Sequence, residues 1–464
     1  MKEKSIHVRS RIEGRGIRIA VENASLPILY PRNVWSAYPK RLKEVLRDNL
    51  ALSSTFFIPQ ILNTRTISYD TPRPLSEPFL FKNGIYDMSN SAHADNASSV
   101  AYVKKFMNTV ASFKHNDIQV PDYEKRSSGK KSTHAIVPFT FGKESLLTVA
   151  LGKEIGIHPH LVYVVEPTHA YEYKHKKSLM GAFFRETGLK VHEIKHGPGY
   201  MRYGRLWGKN TELGWGLQTT EYVLLSLPFL HYWNAEYITL GNERSCAEAA
   251  MDSEGILTHW TAYDQHPDWT SQQGLLASLM VGRKTRVISL VEPLHEIAEI
   301  AVLHRRYPEF AQFQTSCLAI DKKARSNRWC QNCEKCASMY AFLQAVGADV
   351  ARLGFTENLF DGAHAHLYKN LFRGGKNKDS AHYAVEEELF LALHIANKRG
   401  LKGNVIDTFK RRTLPKFRKE IGEHIREYFG IHASNNMPAS LRKRAVSIYE
   451  EELSKVRKEI SKIL

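Results

Sequence analysis

Two stretches of this chain hold residues whose types and spacing could do chemistry. The first is Thr140-Phe141-Gly142-Lys143-Glu144-Ser145. It follows an apolar run at 135–140 and opens a run with apolar residues at helical spacing, 143–155. A polar turn between a strand and a helix leaves backbone N–H groups unpaired at the helix start, where the helix dipole adds positive potential. Lys143 adds a full charge. Such a turn is an anion site, and phosphate is its usual occupant. The same order of strand, turn, lysine and helix also occurs in enzymes that bind no nucleotide, so the turn alone does not decide.

The second stretch holds Cys317, Cys330, Cys333 and Cys336, four of the five cysteines in the chain. Thiolates two residues apart on a knuckle-like turn reach one ion, and a fourth completes a tetrahedron, as in structural zinc sites. A redox pair or an iron–sulfur cluster is the competing use of the same residues. Cys246 stands apart and reads as a small buried residue.

The elements that would position these groups alternate. Strands are expected at 135–140, 160–165, 190–194, 235–240 and 286–290, with helices at 143–155, 169–187, 217–234 and from 292 to about 307. Strands alternating with helices predict βαβ units and a parallel sheet. In such sheets ligands sit beyond the carboxyl ends of the strands. The polar clusters fall there: Thr140 to Ser145, Glu166, Asn242 to Ser245, and Glu292.

The expected fold class is therefore α/β, a Rossmann-like doubly wound parallel sheet, in three regions. Residues 1–130 form an α+β region, with a strand near Ile17 and helices at 35–52 and 97–113. A turn-rich segment runs through 66–78, and a basic linker spans 122–133. Residues 131–345 carry the alternating core and the cysteine knuckle. Residues 346–464 are mostly helical and basic, with a polar glycine-bearing loop at 374–380. A polar, aromatic loop at 263–273 is a candidate for substrate recognition.

With 464 residues, 43% hydrophobic and 24% charged, the composition is globular and supports a sizeable core. No apolar run approaches the eighteen residues of a membrane span. The start of the chain lacks the apolar core of a secretory signal, and the expectation is a cytoplasmic protein. The net charge is +17, and residues 410–464 hold 14 Lys/Arg against 7 Asp/Glu. This balance invites a phosphorylated substrate or RNA, or is simply a solvated helical face.

The 140–145 turn resembles the Ser-Gly-Gly-Lys-Asp-Ser motif of the PP-loop ATP pyrophosphatases, with Phe141 standing where that family has glycine. The knuckle Trp329-Cys330-Gln331-Asn332-Cys333-Glu334-Lys335-Cys336 looks like the zinc knuckle of the branch containing 7-cyano-7-deazaguanine synthase. Closer still, Gly241 to Ser245, Leu290 to Glu296 and the knuckle, in that order, look like the UDP-N-acetylmuramoyl-L-alanyl-L-glutamate epimerases. Phe355 to Asp361 followed by Glu386 to Glu388 is a looser echo. The resemblance covers roughly residues 135–390.

The resemblance implies a PP-loop/HUP-type sheet, with ATP, Mg²⁺ and Zn²⁺ as cofactors. Thr140, Gly142, Lys143, Glu144 and Ser145 would hold the phosphates, and Glu144 the magnesium. Glu166, Asn242 and Ser245 would complete the nucleotide site. Lys143, Glu243, Arg244 and Glu292 would act in catalysis, and Glu296, His295 and Asp264 are further candidates for the base. The implied reaction is adenylation of a carboxylate with release of pyrophosphate and then AMP, serving epimerisation of an L-glutamyl or similar residue on a nucleotide-sugar-type substrate. The partner is then a small-molecule carboxylate, possibly nucleotide-linked. RNA is an alternative partner, less favoured because no RNA-binding module is recognisable, and a homo-oligomer is compatible with the chain. Two other readings stay open: a tRNA-modifying or deazapurine-forming enzyme of the same fold, and a nucleotide-binding scaffold without catalysis.

Overall fold

The computed structural model describes residues 5–123, 132–166, 170–259, 262–317, 319, 321–372 and 385–464. The basic linker expected at 122–133 lies outside the described residues except at its ends, and the loop at 374–380 lies outside them entirely. In chain order the strands are β1 (Ile6–Glu13), β2 (Gly16–Val21), β3 (Ala24–Leu29), β4 (Thr66–Pro72), β5 (Val110–His115), β6 (His134–Pro138), β7 (His158–Val165), β8 (Val191–His196), β9 (Tyr237–Leu240), β10 (Ala249–Met251), β11 (Leu257–His259) and β12 (Arg286–Ser289). All but β10 and β11, which form a separate hairpin, join one ten-stranded sheet in the order β12-β9-β6-β7-β8-β3-β2-β1-β4-β5.

The five strands β12-β9-β6-β7-β8 are mutually parallel. The chain enters at β6, builds outward through β7 and β8, then returns to the other side of β6 with β9 and β12. This is a Rossmann-like, doubly wound order, and its direction reverses between β6 and β9. Loops leaving the carboxyl ends of those two strands diverge there and open a crevice.

Side-chain alternation makes the sheet bury both faces. On β6, Ala135 and Val137 face one core together with Leu161 and Tyr163 of β7. Ile136 faces the other, with Val162 and Val164. The first core is closed by the helices Lys143–Glu154, Glu296–Arg306, Glu334–Val346, Glu386–Lys398 and Ala439–Ile463. The second is closed by the helices Lys40–Ser53, Gln218–Tyr232 and Pro267–Val281.

The amino-terminal strands extend the same sheet. β3 pairs antiparallel with β8 through Ile28↔His196 and Leu29↔Lys195, and residues 6–106 share the second core with the parallel strands. The carboxy-terminal helices share the first core, where Tyr449 Oη donates to the Leu290 carbonyl at 2.8 Å.

Four local expectations differ from the structure. Residues 35–52 form two helices, Arg32–Ala37 and Lys40–Ser53. The break falls at Tyr38, extended at ψ 128°, because Pro39 disfavours helical backbone in the residue before it. The segment read as turn-rich contains β4, whose Thr66-to-Thr71 alternation is intact, with prolines only at its end and beyond. The helix expected at 97–113 stops at Met107, and Val110–His115 becomes β5, pairing with β4. The candidate recognition loop at 263–273 is a short 3-10 turn followed by the start of the Pro267–Val281 helix.

Five phenylalanines lie beneath the 140–145 turn. Phe183 is fully buried, with ring centroids 5.2 Å from Phe139, 5.6 Å from Phe141, 5.9 Å from Phe310 and 5.1 Å from Phe313. Phe183→Ala should lower unfolding free energy by about 3–5 kcal/mol, read from urea midpoints at constant slope. A change below about 1 kcal/mol would show that this cluster does not support the turn.

Candidate functional site

The helix Lys143–Glu154 begins at Gly142, whose N-cap position has no side-chain cap. Its first N–H groups are therefore free of a capping side chain. Phe141, at the glycine position of the resembled motif, has φ +61°. That left-handed conformation costs a non-glycine residue about 1–2 kcal/mol. The burial of its ring against Phe139 and Phe183 opposes this cost, and its carbonyl accepts from Thr315 N–H at 2.8 Å. Phenylalanine thus adopts a backbone conformation more usual for glycine. Thr140 and Ser145 close the turn on itself: Thr140 N–H donates to Ser145 Oγ at 3.3 Å, and Ser145 Oγ donates to the Gly142 carbonyl at 3.1 Å.

Lys143 does not project into solvent. Its ammonium is buried and lies 2.5 Å from Glu144 Oε1, 3.2 Å from Glu243 Oε2, 3.2 Å from Glu296 Oε1 and 3.5 Å from Glu299 Oε2. Lys335 Nζ meets the same Glu296 Oε1 at 3.0 Å. Glu388, from the carboxy-terminal region, accepts from Ile297 N–H at 2.7 Å and so caps the Glu296–Arg306 helix. Its Oε2, and both oxygens of Glu299, have no hydrogen bond among the described residues. Five carboxylates and two ammoniums thus converge at the carboxyl ends of β6, β9 and β12. Gly241 permits the approach, since a Cβ there would lie 2.6 Å from Cβ of Glu144.

Charge in this cluster is sorted by its surroundings. Burial disfavours ionisation of Glu296, but Lys143 and Lys335 override it and hold the carboxyl at about 2. Burial raises Glu243 to about 7 against the pull of Lys143, with Glu296 and Glu144 adding repulsion. Burial likewise pushes Glu299 and Glu388 well above the usual carboxylate range. Burial works against the Lys143 ammonium, yet four surrounding carboxylates raise its pKa well above the ordinary lysine value. The cluster also has a floor and a mouth. Lys143 and Glu299 side chains are 1% and 0% exposed, whereas Glu144, Glu243 and Lys335 retain 29%, 12% and 25%. A ligand therefore meets Glu144, Glu243 and Lys335 first.

Other residues expected at the site hold different places. Ser245 Oγ donates to Glu243 Oε1 at 2.8 Å and orients that carboxylate. Asn242 braces the β9 end, donating to Thr270 Oγ1 at 2.9 Å and accepting from Ser289 Oγ at 2.7 Å on its carbonyl. Arg244 is half-buried, and its guanidinium has no hydrogen bond or ion pair among the described residues. Glu292 accepts from Ser434 Oγ at 2.7 Å and from the N–H groups of Asn435 and Asn436 at 3.1 and 3.2 Å, so it anchors that segment. Glu166 belongs to a separate buried network with His196 and Arg202, which hold it at about 2 although burial opposes this. Asp264 lies at the start of the Gln218–Tyr232 helix, accepting from Thr219 N–H at 2.7 Å.

Glu299 has no counterpart among the residues singled out in the sequence, whereas Lys335 and Glu388 fall within the stretches that carry the resemblance but had no role assigned there.

The four cysteines of the knuckle are buried, with their sulfurs all within 4.8 Å of one another. Measured separations include 3.4 Å for Cys333–Cys336 and 3.9 Å for Cys330–Cys336. Zinc–sulfur bonds of about 2.3 Å in a tetrahedron place sulfurs roughly 3.8 Å apart, so the residues fit a metal such as zinc. Gln331 takes the left-handed knuckle conformation at φ +56°. Cys317 Sγ accepts from Cys330 N–H at 3.2 Å. The knuckle is coupled to the acidic cluster twice: through Lys335, and through Thr315 against Phe141.

No protein-family model matches the chain, and no curated protein does. Among the described residues no helix is long and apolar enough to cross a membrane.

Metal analysis of the purified chain should find about one zinc held by thiolates, and Cys333→Ser should lose it together with several kcal/mol of stability. A stable, metal-free native protein would rule the zinc site out. Glu243 has its folded pKa raised from 4.5 to about 7. Its contribution to stability is thus fully present below pH 4.5 and is lost as pH rises through 7. Relative to Glu243→Gln, the wild type should lose roughly 2–4 kcal/mol between those limits. Parallel pH profiles of the two proteins would contradict the assigned burial of this carboxyl.

Proposed function

We propose that the chain is an ATP pyrophosphatase of PP-loop type that adenylates a substrate carboxylate and then exchanges its Cα proton. The observation that carries this reading is the acidic cluster around Lys143 at the switch point, with one carboxyl poised near neutrality at its mouth. The nucleotide phosphates would lie against the uncapped start of the Lys143–Glu154 helix, near Lys335 and Arg244.

The cluster suits a hard cation, since its donors are carboxylate oxygens. Glu144 would hold Mg²⁺, which would offset the negative charge of the cluster and of the leaving pyrophosphate. Lys143 keeps the carboxylates together from below.

In the first step a carboxylate oxygen of the substrate attacks the α-phosphorus of ATP. The bond to the β-phosphate oxygen breaks and pyrophosphate leaves. The mixed anhydride no longer carries the carboxylate charge, so its Cα–H is more acidic. Glu243 in its carboxylate form takes that proton, and its pKa near 7 matches this task at neutral pH. Return of a proton to the opposite face inverts the centre, and water then releases AMP. An L-glutamyl or similar peptide-linked residue on a nucleotide-sugar-type molecule is the substrate class this reading favours.

A second reading, a PP-loop enzyme modifying tRNA or forming a deazapurine, is favoured by one feature. Lys410, Arg411, Arg412, Lys416, Arg418 and Lys419 are all exposed, and among the described residues only Lys410 of these meets a carboxylate, Asp407 at 4.0 Å.

With Mg-ATP, purified protein should release AMP and pyrophosphate only when a glutamyl-type carboxylate is added, with solvent deuterium entering at Cα. Glu243→Gln should retain pyrophosphate release but lower deuterium exchange by about 10²-fold or more. Arg244→Ala should raise KM for the carboxylate. Lys143 is unsuited to this test, because removing its ammonium strands buried carboxylates at a cost of about 3–5 kcal/mol. Turnover that requires tRNA would replace the first reading by the second. Nucleotide binding with no turnover on any substrate would reduce the chain to a scaffold.

A further inference from the structure

A second group of potential ligands lies beside the β12 loop, apart from the cysteines. His295 is the N-cap residue of the Glu296–Arg306 helix and is 1% exposed. Glu427 lies in the last turn of the Ile421–Tyr428 helix, and His432 follows shortly after it. His295 Nε2 is 3.2 Å from Glu427 Oε1; His432 Nε2 is 3.8 Å from the same oxygen and 2.9 Å from the Glu427 main-chain carbonyl, a contact that an ion on Nε2 would displace. The three ligand atoms fall within 4.8 Å of one another.

The frame holding them is built from both sides. His432 N–H donates to the Pro293 carbonyl at 2.9 Å. Two residues on, Ser434, Asn435 and Asn436 are clamped to the Glu292 carboxylate. The imidazoles of His295 and His432 stand edge to face, 4.9 Å between centroids, and Tyr428 packs edge-on against His295 at the same distance. Glu292, expected at the reaction centre, thus fixes the segment that carries His432. Among the described residues, His295 Nδ1 has no hydrogen bond partner despite its burial.

The geometry points to a second metal site, His295, Glu427 and His432, for a divalent transition ion of the zinc class. Two imidazoles and one carboxylate form a borderline donor set suited to Zn²⁺, Co²⁺ or Mn²⁺ rather than to Mg²⁺. Bonds of about 2.1 Å to nitrogen and oxygen separate neighbouring ligand atoms by roughly 3.0–3.4 Å. The Glu427 side chain, 52% exposed, closes the remaining distance by a rotamer change. Among the described residues three protein ligands come together and the carboxylate faces solvent, so the ion keeps open positions, unlike the closed thiolate site. Arg244 N–H donates to the Leu294 carbonyl at 2.8 Å, placing the Arg244 segment alongside. An ion there, beside that guanidinium, would accept an anionic oxygen. The inference is independent of the nucleotide reading.

The test is cobalt(II) loading of the full chain, with His432→Ala and Glu427→Ala as variants at the less buried ligands. Wild type should bind about two equivalents. One should show thiolate-to-cobalt charge transfer and resist EDTA; the other should lack that band and be stripped readily. Each variant should lose the second equivalent and keep the charge-transfer band of the first. A wild type that binds cobalt only at the thiolates, or a second equivalent that persists in both variants, overturns the site. Should a variant fail to fold, proton NMR of the cobalt-loaded wild type decides: paramagnetically shifted imidazole N–H signals, lost on EDTA treatment, support the site, and their absence overturns it.

Discussion

Lys143 cannot be buried alone, and neither can the carboxylates around it. Taking one ion out of water costs several kcal/mol, which an opposite charge in good geometry offsets. The four carboxylates nearest to Lys143 come from the turn after β6, the loop after β9 and the helix after β12. The knuckle helix adds Lys335, and the helix Glu386–Lys398 adds Glu388. No single element is stable in this arrangement without the others. Closing the first hydrophobic core and assembling the charged cluster are one event, and the topological reversal between β6 and β9 is what leaves room for it.

Mechanical support for the cluster comes from below and from one side. Below, the phenylalanine group holds Phe141 in a left-handed conformation that an isolated phenylalanine would leave. At the side, residues 315–317 run from the carbonyl of Phe141 directly into Cys317. A metal bound by the cysteines therefore bears on the turn as well as on Lys335. The knuckle acts as a positioning device for the turn and for Lys335.

The gradient of exposure across the cluster bears on function. Buried Glu296 stays ionised because two ammoniums touch it, while burial, with repulsion from Glu296 and Glu144, raises Glu243 to about 7 against the pull of Lys143. Carboxyls pushed apart in this way are the usual equipment of proton transfer at pH 7. Lys143 contributes as the counter-ion that makes this separation stable, and the more exposed members of the cluster are Lys335, Glu144 and Glu243.

Much of the fold is legible from the chain alone. The alternation of β-branched runs with helical spacing marks all five parallel strands to within a few residues, because a strand buried on both faces has to be apolar throughout. The polar turns at 140–145 and 241–245 are visible for the complementary reason: small and charged residues interrupt those runs only where the backbone leaves the sheet. The cysteine spacing likewise marks four thiols that could hold one metal ion. What the chain could not display is pairing between distant segments. Nothing local marks Glu388 as a cap for the helix beginning at Glu296, or Lys335 as its charge partner. Nothing local shows that Glu292 clamps 434–436, or that β3 joins the parallel sheet at β8. Those contacts depend on tertiary packing, in which burial decides which polar groups must find each other and so which of many similar glutamates becomes chemically distinct.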